Sequence, residues 1–176
     1  MIIVLSGKAR SGKDTIADYI CNNYVPSIKV SFAEPLKAMC KKYFGFSNAE
    51  LNETKTAESR KVMQGLGMLV RGEVDPNFWI NLMRRKIFDY NMNCYRYIVV
   101  SDCRFVNELN LFDTIYYDKV VKIRVNRAQG KVEYGADTPS ETELDNITNW
   151  DYVIENNFDL AHLYDKVNTI IQEKEK

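Results

Sequence analysis

The chain has 176 residues, with 24 lysines and arginines against 24 aspartates and glutamates, so its formal net charge is zero. This length fits one ordinary domain, and a neutral chain has no global field that attracts nucleic acid or an anionic membrane. We therefore expect a single domain over 1–176 whose partners are small molecules, with no nucleic acid or membrane among them.

The cysteines and apolar runs predict a cytoplasmic location. The four cysteines show no CxxC spacing, and a single histidine, His162, leaves no zinc-ligand set, so the thiols are expected to be reduced. The first apolar run, Ile2 to Leu5, is too short for a signal peptide, and no run is long enough to span a bilayer.

The first predicted element is a buried strand over Ile2 to Leu5, followed directly by Gly7-Lys-Ala-Arg-Ser-Gly12-Lys13-Asp14-Thr15. Two glycines let the backbone turn its N–H groups toward phosphate oxygens, and an amphipathic helix begins near Lys13. This context favours a nucleotide-phosphate loop over the alternative, a glycine-rich structural turn. We predict that the loop binds nucleotide phosphates through Gly7, Arg10, Ser11, Gly12, Lys13, Asp14 and Thr15.

Asp14 stands where the usual phosphate-loop pattern has serine or threonine after the lysine. A carboxylate at this position binds Mg²⁺ directly or through water, but it would repel the phosphates without the metal. The sequence therefore predicts that Mg²⁺ is obligatory.

Strand-like runs recur along the chain and alternate with helical patterns. The predicted strands are Ile2–Leu5, Ile28–Phe32, Tyr97–Ser101, Val120–Val125 and Tyr152–Ile154, and the predicted helices are 14–24, 34–44, 57–70, 76–92, 104–115 and 159–174. Apolar strands separated by helices predict an α/β fold with a five-stranded parallel sheet covered on both faces. Two stretches break the alternation: a helical insertion over 33–96 and a lid-like flap over 126–149.

The helical insertion carries candidate contacts for a second substrate. Lys37 lies on the first turn of a predicted helix, and Arg60 and Arg71 flank a glycine-containing segment that precedes Trp79. Cations and an indole suit a nucleoside monophosphate, whose base would stack while its phosphate meets the cations. The alternative for Trp79 is a core position, which is commoner for large aromatic residues.

Asp102 ends the third predicted strand and is followed closely by Arg104. Ligands of open α/β sheets lie beyond the carboxyl ends of strands, so Asp102 is predicted to hold the Mg²⁺ water shell and Arg104 to face the same site. The alternatives are an N-cap of the following helix for Asp102 and a surface ion pair with Glu108 for Arg104. No glutamate follows Asp102, which disfavours a motor or switch hydrolase.

Arg124, Arg127 and Lys131 follow the fourth predicted strand. We expect at least one of them to neutralise charge on a transferring phosphoryl group, and we assign Arg127 to catalysis together with Lys13, Asp102 and Arg104. The alternative for each is a solvated cation.

Several sequence blocks together resemble one family. LSGKARSGKDTIADYI, SFAEPLK, SRKVMQGLG, DPNFW, YIVVSDCRFVNE, SETELDN and WDYVIENN occur in the order found in bacteriophage-type deoxynucleoside monophosphate kinases, which have the P-loop kinase fold. The resemblance implies transfer of the γ-phosphate of ATP to a deoxynucleoside monophosphate, with Mg²⁺, in the cytoplasm of an infected cell. It leaves the choice between a monomer and a homodimer open.

The resemblance also implies roles for individual residues. Gly12, Lys13, Asp14 and Thr15 would bind ATP phosphates and metal, and Asn156 lies in a stretch that borders adenine; the acceptor site or reaction centre would be lined by Lys37, Arg60, Trp79, Asp102, Arg104 and Glu108. Two other functions compete with this one. The first is another small-molecule kinase of the same fold, such as a phosphomevalonate kinase, and the second is a non-catalytic module in which ATP fixes a conformation.

Overall fold

A parallel sheet of five strands forms the centre of the computed structural model, which describes residues 1–54, 56–92, 94–115, 119–128 and 138–176. The strands are β1 (Ile2–Ser6), β2 (Ser27–Val30), β3 (Tyr97–Cys103), β4 (Val120–Asn126) and β5 (Tyr152–Glu155). Their order across the sheet is β2-β3-β1-β4-β5, and every pairing is parallel. The predicted α/β class and parallel five-stranded sheet are confirmed.

Helices connect the strands. In the described part they are α1 (Lys13–Asn23), α2 (Ala33–Phe44), α3 (Asn48–Asn52), α4 (Ala57–Leu69), α5 (Phe78–Met92), α6 (Val106–Thr114), α7 (Pro139–Thr142) and α8 (Leu160–Glu175). A π-helical turn, Val70–Val74, continues α4. The short α3 and α7 were not predicted. The α3 start has a sequence signal, because Ser47 and Glu50 form a capping box.

Alternate residues of the central strands point to opposite faces of the sheet, and each face has its own apolar core. Ile2, Val4 and Ile98 pack on the side of α5 and α6, whereas Ile3 and Val99 pack on the side of α1 and α8. Because both faces are buried, the strands are apolar throughout, which is the pattern from which the sheet was predicted.

Residues between β2 and β3 form α2 to α5, so the stretch predicted as a helical insertion is helical in its described part. The stretch predicted as a flap contains the end of β4 and all of α7. Residues 129–137, which include Lys131, lie outside the described residues. None of the helices in the described ranges is long and apolar enough to cross a membrane.

Candidate active site

The loop between β1 and α1 has a backbone that two glycines make possible. Gly7 and Gly12 have φ angles of 148° and 104°, and Arg10, which is exposed, has a φ of 59°. A Cβ at Gly7 would lie 2.2 Å from the Val125 carbonyl oxygen, and one at Gly12 would lie 2.4 Å from Asn156 Nδ2. Both positions therefore require glycine for conformation and for space, as a loop that brings its backbone close to a ligand requires.

Asn156 supports this loop from the end of β5. Its Nδ2 donates a hydrogen bond of 2.8 Å to the carbonyl oxygen of Ser11, and the side chain is largely buried. The sequence assigned Asn156 to the adenine border. The structure adds a bracing contact between this asparagine and the phosphate loop.

Lys13 is 5% exposed and begins α1. Its ammonium donates to the Lys8 carbonyl oxygen at 2.6 Å and to Ser11 Oγ at 3.3 Å. Burial and the neighbouring Arg104 guanidinium lower the pKa of Lys13 from 10.5 to about 7, against the opposing effect of Glu141, Asp14 and Asp102. The Lys13 ammonium therefore experiences the positive charge of Arg104.

Asp14 extends from the first turn of α1, with 75% of its side chain exposed, and its carboxylate lies 2.8 Å from the ammonium of Lys29 on β2. An exposed carboxylate beside a phosphate loop fits Mg²⁺, which is usually bound through one or two carboxylates together with substrate phosphates. Within the described ranges, no group of three or more Cys, His, Asp or Glu side chains is placed to hold a metal by itself.

Asp102 joins the end of β3 to the start of α2. Its Oδ1 accepts a hydrogen bond from the Phe32 amide at 2.8 Å, and its Oδ2 accepts from the Ser31 hydroxyl at 2.8 Å and the Ala33 amide at 3.0 Å. The sequence offered an N-cap of the following helix as the alternative to a metal role. The structure corrects that alternative, because Asp102 serves the first turn of α2, the helix after the neighbouring strand. Its metal role stays a prediction.

Glu108 is buried on the first turn of α6 and accepts hydrogen bonds from the amides of Arg104 at 2.9 Å and Phe105 at 3.3 Å. Its carboxylate also lies 2.7 Å from Arg71 Nη2, and the Arg71 guanidinium covers the Phe105 ring. Burial raises the pKa of Glu108 to about 7, although the Arg104 amide and Arg71 oppose the rise. The ion pair of Glu108 is thus with Arg71.

The predicted alternative of a surface ion pair between Arg104 and Glu108 is therefore wrong, since these residues meet only through the Arg104 backbone. The Arg104 guanidinium is turned toward the phosphate loop. It pairs with the Glu141 carboxylate and donates to the Ser140 carbonyl oxygen at 3.0 Å. Arg104 is thus linked to the loop through Glu141, and its role in the reaction stays a prediction.

Glu141 is a site residue that the sequence reasoning missed. Its Oε2 accepts a 2.8 Å hydrogen bond from the amide of Ala9, in the middle of the phosphate loop. The Ser-Glu pair within SETELDN belongs to the blocks that carry the family resemblance, which was the available signal. Nothing in the local pattern distinguishes Glu141 from the other acidic residues near it.

Two cavities adjoin the loop. One, of about 570 Å³, is lined by Gly12, Thr15, Arg127, Asn156, Phe158, Asp159, Leu160, Ala161 and Leu163. The other, of about 330 Å³, is lined by Lys8, Ser11, Arg124, Val125, Asn126 and Arg127. Arg127 borders both cavities, whereas Arg124 is engaged by Asp145 at 2.7 Å and Ser6 Oγ at 3.2 Å.

Residues predicted on the helical insertion are more dispersed. Lys37 donates to Asn52 Oδ1 at 2.8 Å, and Arg60 is partly buried on α4. Trp79 is 3% exposed in the core on the α5 side, and its Nε1 donates to the Gly67 carbonyl oxygen at 3.3 Å. This is the core position given as the alternative, and a ring buried in this way cannot stack against a base.

Comparison with known proteins gives one family. A family model described as deoxynucleotide monophosphate kinase matches residues 1–59 and 41–167. A protein of Acanthamoeba polyphaga mimivirus, provisionally named a deoxynucleotide monophosphate kinase, is 29% identical over 187 aligned residues, which cover 95% of this chain and 94% of the viral protein.

Solved structures share the fold. Protein TT1252 of Thermus thermophilus has a TM-score of 0.51 at 16% identity, and the alignment covers 98% of this chain and 97% of that one. Dephospho-CoA kinase from Campylobacter jejuni has a TM-score of 0.51 at 13% identity, with 98% and 96% covered. At these identities the likeness is one of fold, and it agrees with the predicted P-loop kinase fold.

Proposed function

The chain belongs to the deoxynucleotide monophosphate kinase family, and on that premise we propose that it transfers the γ-phosphate of ATP to a deoxynucleoside 5′-monophosphate. Family membership makes it a nucleotide kinase. ATP as the donor, the direction of transfer and the acceptor class are the proposal. We also propose a cytoplasmic location, which the free thiols of Cys21, Cys40 and Cys103 suit.

The observation that carries the proposal is the meeting of Lys13 and Arg104 at the phosphate loop. Lys13 comes from the start of α1, and Arg104, directly after β3, pairs with Glu141, whose carboxylate accepts the Ala9 amide of the loop. Two cations fixed beside loop amides are an arrangement that stabilises the charge of a transferring phosphoryl group. Phosphates bound there would raise the Lys13 pKa again, since an opposite charge favours the ammonium form.

The larger cavity supports a donor nucleoside beside the loop. Its volume of about 570 Å³ is in the range of small-molecule sites, and it opens on Gly12 and Thr15. Arg127 and Asn156 border it, so we assign Arg127 to the donor side, between the nucleoside and the phosphates. A contact between Arg127 and the γ-phosphate stays a prediction.

We propose that Asp14 holds Mg²⁺ together with the donor phosphates, and that Asp102 contributes at most through water because three hydrogen bonds already reach its oxygens. The metal would supply charge neutralisation on the phosphates. The protein groups bind and align the two substrates. An acceptor phosphate is already ionised at pH 7, so no strong general base is needed.

On the acceptor side, we propose that the phosphate meets cations from the helices between β2 and β3, including Lys37 and Arg60. Arg71 and Glu108 are held by each other at 2.7 Å, so we propose that they position the β3–α6 turn that carries Arg104. The burial of Trp79 removes one argument for an aromatic base platform, and family membership remains the support for a nucleotide acceptor.

An acceptor panel tests the proposal. With ATP and Mg²⁺ fixed, kcat/KM is measured for dTMP, dGMP, dCMP and dAMP, for their ribose counterparts and for phosphomevalonate. We expect one or more deoxynucleotides to lead and phosphomevalonate to give no product. Rejection of a 2′-hydroxyl is worth roughly ten- to a hundredfold, the scale of leaving one polar group unpaired.

Lys13→Met is the control for contaminating kinase activity, because it should remove the transfer seen with wild type. If phosphomevalonate is the only acceptor in the panel that is phosphorylated, the rival function of another small-molecule kinase is favoured. If ATP binds but no acceptor in the panel takes phosphate, the non-catalytic module becomes the better description.

A further inference from the structure

A carboxylate of the chain itself binds the phosphate loop. Glu141 Oε2 accepts the Ala9 N–H at 2.8 Å, and the same carboxylate pairs with Arg104. Ala9 lies between Gly7 and Lys13, within the loop whose backbone the proposed donor phosphates would use. An anionic side chain is therefore bound where an anionic ligand is expected.

The groups around Glu141 are those that recognise phosphate: a loop amide, a guanidinium and a nearby ammonium. The carboxylate acts on Lys13 as well, because its charge opposes the lowering of the lysine pKa. The Ala9 amide has a single hydrogen, which Glu141 Oε2 already accepts, so a phosphate oxygen cannot also accept it in this geometry.

Contacts on both sides fix the segment that carries Glu141. Leu144, three residues on, is 2% exposed within the core, and Thr138 Oγ1 accepts from Gln64 Nε2 on α4 at 3.4 Å. The Glu141 side chain itself is 11% exposed. The carboxylate is held at the loop, and its segment also reaches one of the helices to which the acceptor site is assigned.

We propose that Glu141 is an internal competitor of the donor phosphates, an inference that rests on the proposed function. Donor binding displaces the carboxylate from the Ala9 amide and releases the Arg104 guanidinium to contact the phosphates.

Binding to the variant Glu141→Gln tests the proposal. The amide keeps the size of the side chain and removes its charge, so isothermal titration should show roughly tenfold tighter binding of inorganic tripolyphosphate and of Mg²⁺-free ATP, the scale of one charge-assisted hydrogen bond no longer opposed. Glu141→Ala should change affinity in the same direction. Glu143→Gln is the matched control: its carboxylate, two residues away, accepts the Val106 amide and does not contact the loop, so affinity should stay at the wild-type value.

A second measurement tests whether the gain in affinity depends on the ion pair between Glu141 and Arg104. In an Arg104→Gln background, the gain from Glu141→Gln should shrink, because the carboxylate has lost its cationic partner. Unchanged binding of ATP by Glu141→Gln, with or without Mg²⁺, would overturn the proposal, and weaker binding would show that the carboxylate supports donor binding instead.

The two proposals fail separately. Tighter ATP binding by Glu141→Gln without phosphate transfer to any acceptor would keep the competitor role and reject the kinase function proposed above. Normal phosphate transfer with unchanged ATP affinity in the variant would keep the kinase function and reject the competitor role. Absence of tripolyphosphate and ATP binding to wild type and variant alike would overturn both.

Discussion

Lys13 combines a proposed binding role with a cost in stability. Burial holds its pKa at about 7, whereas the unfolded chain has the ordinary value of 10.5. At pH 7 and below, the folded protein bears the net cost of holding the ammonium charged in this buried site beside Arg104, which a shift of this size puts at roughly 5 kcal/mol. The residue proposed to bind phosphate therefore destabilises the folded state.

We predict that Lys13→Met lowers kcat by roughly a hundredfold or more and raises the free energy of unfolding at pH 7 by about 1–3 kcal/mol. Between pH 7 and 10.5 the unfolded wild-type chain binds more protons at this site than the folded chain, so wild-type stability rises with pH and the advantage of the variant shrinks. Urea unfolding of both proteins at several pH values measures this difference in the free energy of unfolding.

The matched control is Lys122→Met. Lys122 is also buried, but its ammonium pairs with Asp113, so this variant should show no gain in stability. An equal gain in stability for both variants would show that the effect comes from added apolar volume. Near-normal turnover of Lys13→Met would contradict the phosphate-loop interpretation.

The raised pKa of Glu108 predicts that stability depends on pH in the opposite direction to that predicted for Lys13. Its pKa is about 7 in the folded chain and 4.5 in the unfolded chain, so the folded state holds the extra proton between these values and this residue's contribution to stability falls as pH rises from 4.5 to 7. Relative to Glu108→Gln, wild type should lose roughly 3 kcal/mol across this window. Chemical unfolding of both proteins at pH 5 and pH 7.5 measures the difference.

Glu143→Gln serves as the control here too, because its exposed carboxylate accepts another amide of the α6 first turn. Its pH profile should follow wild type. If Glu108→Gln also follows wild type, the buried carboxylate does not titrate in this range.

At the scale of elements, Trp79 fixes α5 against the helix before it. The ring packs beside Phe78 in the core, and its Nε1–H reaches the last turns of α4 at Gly67. The buried position makes this side chain part of the platform beneath the helices of the proposed acceptor side.

We predict that Trp79→Ala lowers the free energy of unfolding by roughly 3–5 kcal/mol, the cost of removing a buried aromatic ring. Trp79→Phe, which keeps most of the volume and loses the hydrogen bond, should cost roughly 1 kcal/mol. With the amount of folded enzyme counted by ATP titration, kcat/KM for the preferred acceptor should be unchanged in Trp79→Phe. A selective loss of acceptor affinity in that variant would restore the indole to the substrate site.

At the scale of the molecule, the order of the strands assembles the site. β1 lies between β3 and β4, so the phosphate loop after β1 has Asp102 and Arg104 on one side and Arg124 and Arg127 on the other. Parallel strands bring these carboxyl ends to one edge of the sheet, as in other open α/β folds. The lid role of 126–149 and the acceptor role of 33–96 remain predictions.

The sequence alone determined the features that depend on local pattern. Apolar runs that alternate with helical patterns predicted the five parallel strands, and the spacing of Gly7, Gly12 and Lys13 after β1 predicted the loop. Both signals are local, because backbone conformation and burial within one element depend on neighbouring residues. The same patterns found six of the helices and missed α3 and α7, which are too short to show a period.

Only the tertiary structure decided the partners of the polar groups. Asp102 meets Ser31 across 71 residues of sequence, and Glu141 meets Ala9 across 132. Such pairs depend on which strand ends are neighbours and on which helix starts within reach of a carboxylate, and no local spacing encodes either. For the same reason the sequence suggested an ion pair between Arg104 and Glu108, which lie one helical turn apart. In the folded chain, Glu108 pairs with Arg71, and Arg104 pairs with Glu141.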